Sequence, residues 1–246
     1  MSERDADDRS RAATEPASGG ERTSRPASSR SASTTTWTPQ SCSSCSADLI
    51  SPLVCAACRT PLVAEPAPGP FEVFGFERTF ELDGRTLMKR LLQLSKALHP
   101  DFYAGADPQV RSLAERSTAE LNAAHKILAN DYRRADYLVR ALGGPTSEAD
   151  RQMPQAFLME VLEWNEALEE LRAGEGAADG PEQLASQLRE ARDEAMDALR
   201  GHLVPLPAAG AAVLADARRD LNAVRYVDRA LEQLSEIRLG RASSRR

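Results

Sequence analysis

With 246 residues the chain has room for one or two domains with ordinary cores. A formal net charge of −6 excludes a polybasic nucleic-acid binder on bulk charge, and no apolar run approaches the ~20 residues that a bilayer span requires. Apolar residues recur at helical spacing in several long segments while β-branched alternation is almost absent, which predicts an all-α fold.

Residues 1–40 are rich in Ser, Ala, Arg and Thr, with almost nothing to bury, and are expected to form a disordered tail. The segment lacks the apolar core of a signal peptide. Glu3, Asp5, Asp7, Asp8, Glu15 and Glu21 set it apart from acid-poor transit peptides, so a cytoplasmic location is expected.

All four cysteines follow within 17 residues, in CSSCSADLISPLVCAAC: Cys42, Cys45, Cys55 and Cys58. Each C-x2-C pair turns two thiolates toward one point, and the nine residues between the pairs can fold back as a hairpin. Disulfides are disfavoured by the expected reducing compartment. Four thiolates leave no open coordination position, so a structural metal is expected, one per chain: Zn2+, with iron as the alternative for the same ligands. This module, 41–62, is too short for its own core, and metal binding would supply its folding energy. The stretch around EPAPGP, 63–70, reads as a Pro-rich linker.

The next domain, 71–142, opens on an apolar cluster of Phe71, Val73, Phe74 and Phe76. Asp83 is placed as an N-cap, with Leu82 and Leu87 spaced as a hydrophobic staple. Leu87, Leu91, Leu94 and Leu98 then form one buried stripe, while Arg85, Lys89, Gln93 and Lys96, with Arg90 near them, form a basic exposed face. Such a face is either simply solvated or a contact surface. Pro100 ends this helix at His99, and Asp107-Pro108 supplies an N-cap and a first-turn proline for the next. The second helix carries Val110, Leu113, Ser117, Leu121, Ala124 and Leu128 on one side, so a hairpin presents His99, Pro100 and Asp101 at its tip. No nucleophile in an activating context and no glycine-rich phosphate loop accompanies them, and His99, His125 and His202 have no metal-ligand spacing. No catalytic residue is assigned.

A His-Pro-Asp loop between a basic amphipathic helix and a second helix resembles the J-domain family, the co-chaperones that stimulate ATP hydrolysis by Hsp70 chaperones. The resemblance implies that His99, Pro100 and Asp101 engage an Hsp70, with Arg85, Lys89, Arg90 and Lys96 as supporting charges. Many J domains carry a lysine after the aspartate; here Phe102 stands there, leaving the basic footprint slightly smaller.

Beyond the hairpin, NDYRRADYLVRALGG resembles a more particular group, the HscB-type co-chaperones of iron–sulfur cluster assembly. After the expected linker 143–153 comes PQAFLMEVLEWNEALEEL, similar to that family's FLME-x-LE segment. Taken as a helix of ~100° per residue, it places Phe157, Val161, Trp164, Leu168 and Leu171 within an arc of about 80°. Leu158, Met159 and Leu162 lie on a second side with Glu163, Glu166 and Glu170. That side is either a second buried face or scattered surface leucines, or it is a partner surface of apolar anchors with an acidic rim. The resemblance favours the partner surface: it implies binding of an IscU-type scaffold through Leu158, Met159, Leu162, Glu163, Glu166 and Glu170, and through Tyr226, where the family carries an aromatic. Further helical stretches from about 181 and 212 complete an antiparallel three-helix bundle over 154–240.

The expected protein is therefore a non-enzymatic adaptor, an all-α J-domain hairpin plus three-helix bundle behind a metal knuckle. It would stimulate an HscA-type Hsp70 and bring it an IscU-type scaffold, with no nucleic-acid or membrane partner. The rivals are a general J-domain co-chaperone for another client, and a nucleic-acid-binding zinc protein. The latter calls for a basic surface around the cysteines, where Arg59 is the sole cation and Asp48 stands beside it.

Overall fold

Helix-start signals in the sequence determine where the chain turns. Asp83 accepts the Arg85 and Thr86 amides, Asp107 accepts that of Gln109 and Asn130 that of Arg133, so three helices begin with a side-chain cap. The computed structural model describes residues 40–175, 177 and 179–244, with side chains to 240. The expectation for residues 1–40 therefore lies, Gln40 aside, outside the described residues. Among these there are seven α-helices: α1 Pro70–Val73, α2 Gly84–Ala97, α3 Pro108–Leu128, α4 Asp131–Ala141, α5 Gln155–Ala173, α6 Gly180–Leu203 and α7 Val213–Ser244. A 3-10 turn, Pro100–Tyr103, joins α2 to α3. The β structure among the described residues is two isolated bridges, Ser41 with Asp48 and Val54 with Pro61. The predicted all-α class holds.

Two apolar clusters organise the helices. The first gathers Phe71, Phe74 and Phe80 with Leu87 and Leu94 of α2, Leu98 at its C-cap, Leu121 and Leu128 of α3 and Leu138 of α4. It continues without a break into Leu199 and Leu203 of α6 and Leu214, Leu221 and Val224 of α7. The second is the bundle proper: Phe157, Trp164, Leu168 and Leu171 of α5 against Leu184 and Leu188 of α6 and Val227 and Leu234 of α7. The far half of α6 and the near half of α7 thus belong to the same core as α2, α3 and α4.

That continuity explains the segment 143–153, which is fastened rather than loose. The Gly210 amide donates to Leu142 O at 2.7 Å, Arg218 Nε to Pro145 O at 2.8 Å, and Asn222 Nδ2 to Asp150 O and Gln152 O at 2.9 and 2.8 Å. Asn222→Ala removes both of those side-chain bonds from a buried position, and a loss of about 1–3 kcal/mol is expected on chemical denaturation.

The cysteine module is likewise docked. Leu53 and Val54 are buried in the first cluster, and the Arg90 guanidinium donates to Ile50 O and Phe74 O, both at 3.1 Å. Gly75 at φ 64° marks the closest approach, where a Cβ would stand 2.4 Å from Ile50 O.

Candidate functional site

The cysteine module consists of two copies of one turn, offset by 13 residues: QSCSSCSADLI and LVCAACRTPLV. In the first, Cys42 N donates to Ala47 O and Ser46 N to Cys42 O; in the second, Cys55 N donates to Thr60 O and Arg59 N to Cys55 O. The residue after each second cysteine, Ser46 at φ 58° and Arg59 at φ 62°, takes the left-handed conformation that closes the knuckle. All four sulfurs lie within 4.8 Å of one another, with Cys42 Sγ to Cys58 Sγ and Cys45 Sγ to Cys55 Sγ both 3.7 Å. A tetrahedral ion with metal–sulfur bonds of ~2.3 Å needs edges of ~3.8 Å, so the set fits a closed four-thiolate site.

Polar neighbours favour charge on two of these sulfurs, Cys58 and Cys42, whereas the Cys45 thiol is pushed up to about 12 among the neighbouring sulfurs. The Thr60 hydroxyl stands 3.1 Å from Cys58 Sγ and, with the Thr60 amide, brings that thiol down to about 6. The Ser44 amide, 3.4 Å from Cys42 Sγ, lowers the Cys42 thiol. Such N–H and O–H donors are the outer shell that orients metal-bound thiolates.

The His-Pro-Asp loop is built by α2 ending and the 3-10 turn starting within three residues. His99 Nδ1 accepts the Asp101 amide at 3.3 Å and lies 3.5 Å from Asp101 Oδ2, a local contact that leaves the two side chains 56% and 87% exposed. Beneath them Tyr103 is buried, its hydroxyl 2.8 Å from Ala97 O and 2.7 Å from Arg59 O. Arg85, Lys89 and Lys96 are exposed along α2, interleaved with the exposed Met88 and Leu92.

Arg90 is a correction. It was expected on the basic exposed face, but its guanidinium turns inward to the Ile50 and Phe74 carbonyls and over the Phe76 ring, and burial lowers its pKa. At ~100° per residue Arg90 falls about 60° from Leu87, on the shoulder of the apolar stripe. That position signalled an arginine laid along the core with its head on carbonyls. Arg90 holds the knuckle to α2.

On α5, Leu158, Met159 and Leu162 are 44%, 66% and 59% exposed, beside exposed Glu163, Glu166 and Glu170. The second buried face weighed from the sequence is therefore absent from this helix. Tyr226 of α7 reaches the same neighbourhood: its hydroxyl lies 2.9 Å from Asn165 Oδ1, and its ring meets that of Phe157 edge-on at 6.0 Å. Burial raises the Tyr226 pKa while Asn165 opposes the shift, so the hydroxyl is a standing donor.

Residues 153–235 match the family described as the HSCB C-terminal oligomerisation domain. A co-chaperone protein HscB homolog of Aeromonas salmonicida is 36% identical over 167 residues, which are 67% of this chain and 92% of that one. The chain belongs to the HscB co-chaperone family. An HscB homolog of Shewanella oneidensis is 38% identical over 103 residues, 42% of this chain, and the match spans 59% of that relative's length. Among solved structures, the chaperone HscB from Vibrio cholerae aligns with a TM-score of 0.57 and 25% identity over 70% of this chain and 98% of that chain. The human co-chaperone protein HscB aligns with a TM-score of 0.64 and 22% identity over 82% of this chain and 98% of that one, a likeness of fold. Among the described residues no helix is long and apolar enough to cross a membrane.

Two features of the HscB chain escaped sequence reading. One is the stacking of Arg59 on Phe102, a contact between segments 43 residues apart. The other is the wholly buried Arg218, to which the sequence pattern assigned no role. The 13-residue repeat was legible and would have predicted the two matching knuckles.

Proposed function

We propose that the chain stimulates the ATPase of an HscA-type Hsp70 and brings it an IscU-type scaffold, so aiding iron–sulfur cluster assembly in the cytoplasm. The observation that carries this reading is the exposure of His99 and Asp101 at the tip of the α2–α3 hairpin, next to a cationic helix face. Arg85, Lys89 and Lys96 supply the charge, and Arg90 is left out because its head is spent on carbonyls. Leu158, Met159 and Leu162 are the apolar anchors for the scaffold, with Glu163, Glu166, Glu170 and Tyr226 around them.

The chain does no chemistry of its own in this reading; ATP hydrolysis belongs to the Hsp70 and the cluster to the scaffold. Its contribution is geometric. The first apolar cluster ties α2, α3 and α4 to α6 and α7, and α5 packs on α6 and α7 through the second, so both docking surfaces ride on one body and a bound scaffold stays at high local concentration beside the chaperone. Cys42, Cys45, Cys55 and Cys58 would hold a zinc ion that serves to keep the knuckles shut, and four thiolate ligands would leave no position for a substrate.

ATPase assays with an HscA-type Hsp70, with and without scaffold, test the first contact. Stimulation is expected from the wild type and not from His99→Gln; equal stimulation by both overturns the reading. For the second contact, changing Leu158, Met159 and Leu162 together to Ala is expected to weaken scaffold binding by about 30-fold or more. Unaltered binding removes α5 from the interface. A second reading follows from the description of the matched C-terminal domain as an oligomerisation domain: a second copy covers this face. Sedimentation of wild type and triple variant distinguishes them, since only self-association predicts a dimer that the variant loses.

A further inference from the structure

We propose that Arg59, a residue of the metal knuckle, belongs to the Hsp70-docking surface and supplies its cation at the tip of the His-Pro-Asp loop. This rests on the Hsp70 reading above and extends the surface to a segment outside the J domain. The Arg59 guanidinium carbon lies 3.7 Å from the centroid of the Phe102 ring, close enough for a stacked cation–π contact. Phe102 in turn meets the His99 ring edge-on at 6.1 Å. An exposed positive charge therefore sits one ring away from the histidine of the loop, immediately past Asp101. The sequence alone left this place with an uncharged Phe102.

The position of Arg59 is fixed from both ends of the residue. Its backbone is the left-handed corner of the second knuckle, at φ 62°, with the Arg59 amide donating to Cys55 O at 2.8 Å. Its carbonyl accepts the Tyr103 hydroxyl at 2.7 Å, and the same hydroxyl lies 2.8 Å from Ala97 O at the end of α2. The head rests on Phe102, itself 44% exposed. A free arginine on a surface loop would lose rotamer freedom on docking; this one is already placed, so its charge acts on the partner at smaller entropic cost. No carboxylate is paired with Arg59 among the contacts of the described residues. The partner chemistry is an acidic patch on the Hsp70, continuous with the one facing Lys89 and Lys96.

The test is binding of the full metal-loaded chain to the ATP-bound Hsp70 at 50 and 200 mM salt, with metal content measured for every variant. Relative to wild type, Arg59→Ala is expected to bind about five-fold and Arg59→Glu more than ten-fold more weakly, each with a flatter salt dependence. The decisive variant is Arg59→Ala with Phe102→Lys, which puts a cation back in the same place from the J domain. Recovery to within two-fold of wild type supports the charge assignment and shows the losses did not come from a damaged knuckle; no recovery overturns it. Unchanged affinity of Arg59→Glu, in an experiment where Asp101→Ala abolishes binding, overturns this proposal alone. Unchanged affinity of Asp101→Ala overturns the Hsp70 reading beneath it.

Discussion

Replacing Asp136 by Ala is expected to destabilise the protein by about 3–5 kcal/mol, seen as a lower urea midpoint with little change in slope. The reason is what Asp136 leaves behind. Arg218 is entirely buried, its Nη1 is 2.8 Å from Asp136 Oδ1, and its Nε donates to Pro145 O at 2.8 Å. Nη1 meets Asp136 as an ion pair, and among the described residues Nη2 has no hydrogen-bond partner. Asp136 is thus the counter-charge for a guanidinium with no route to water. Removing it strands a full charge in the core, which is the costly way to break a buried pair.

The opposite replacement separates charge from packing. Arg218→Met fills most of the volume and leaves Asp136 a quarter exposed with Arg140 Nε still 3.0 Å away. It is expected to lose clearly less than Asp136→Ala. The double variant should be no less stable than Arg218→Met alone, because the buried charge that made the aspartate indispensable is gone. A double variant whose loss equals the sum of the two singles would mean that the pair is not a coupled unit. The pair joins α4 to α7, where the first apolar cluster passes into the bundle helices, so its loss loosens the frame between the two proposed docking surfaces.

What was legible in the sequence divides along a physical line. Caps, prolines and apolar stripes act within a few residues, and Asp83, Pro100, Asp107-Pro108 and Pro154 mark helix boundaries close to where they fall. The same periodicity put Leu158, Met159 and Leu162 on a second side of α5 but left open whether that side was buried; their exposure is settled by how α6 and α7 pack on the other arc. Arginines were the blind spot. Arg85, Arg90, Arg134 and Arg218 look alike in a helical pattern, yet Arg90 and Arg134 spend their heads on carbonyls and Arg218 is sealed inside. A long stem packs as an apolar chain while its head seeks any acceptor in reach, and which acceptor is decided by distant segments. The knuckle's docking was hidden for the same reason: a Pro-rich stretch looks like a spacer, while Leu53 and Val54 fill a core set by α2 and α3.

With a metal held at the four cysteines as proposed, stripping it with a strong chelator, or changing Cys55 to Ser, is expected to unfold both knuckles and to reach well into the first apolar cluster. Without the ion the four thiols have no reason to converge, and the left-handed corners at Ser46 and Arg59 lose the closure that holds them. Leu53 and Val54 then leave the first apolar cluster, and the Arg90 head loses its Ile50 acceptor. Two such side chains are together worth about 3–5 kcal/mol of burial, a fall of roughly 10 °C in melting temperature for a domain of this size. Hydrogen exchange locates the effect. Amides such as Cys42, Cys55 and Leu62, bonded within the knuckles, should exchange at once, and the turn at Asp101–Tyr103 should speed up because Tyr103 has lost the Arg59 carbonyl. The bundle amides of α5 should not change, since the second apolar cluster has no member from the module. Acid should mimic the chelator, since protons compete with the ion for all four thiolates and affinity falls as pH falls. If the melting temperature and the Asp101–Tyr103 exchange are the same with and without metal, the knuckle is an independent bead and has no part in shaping the docking loop.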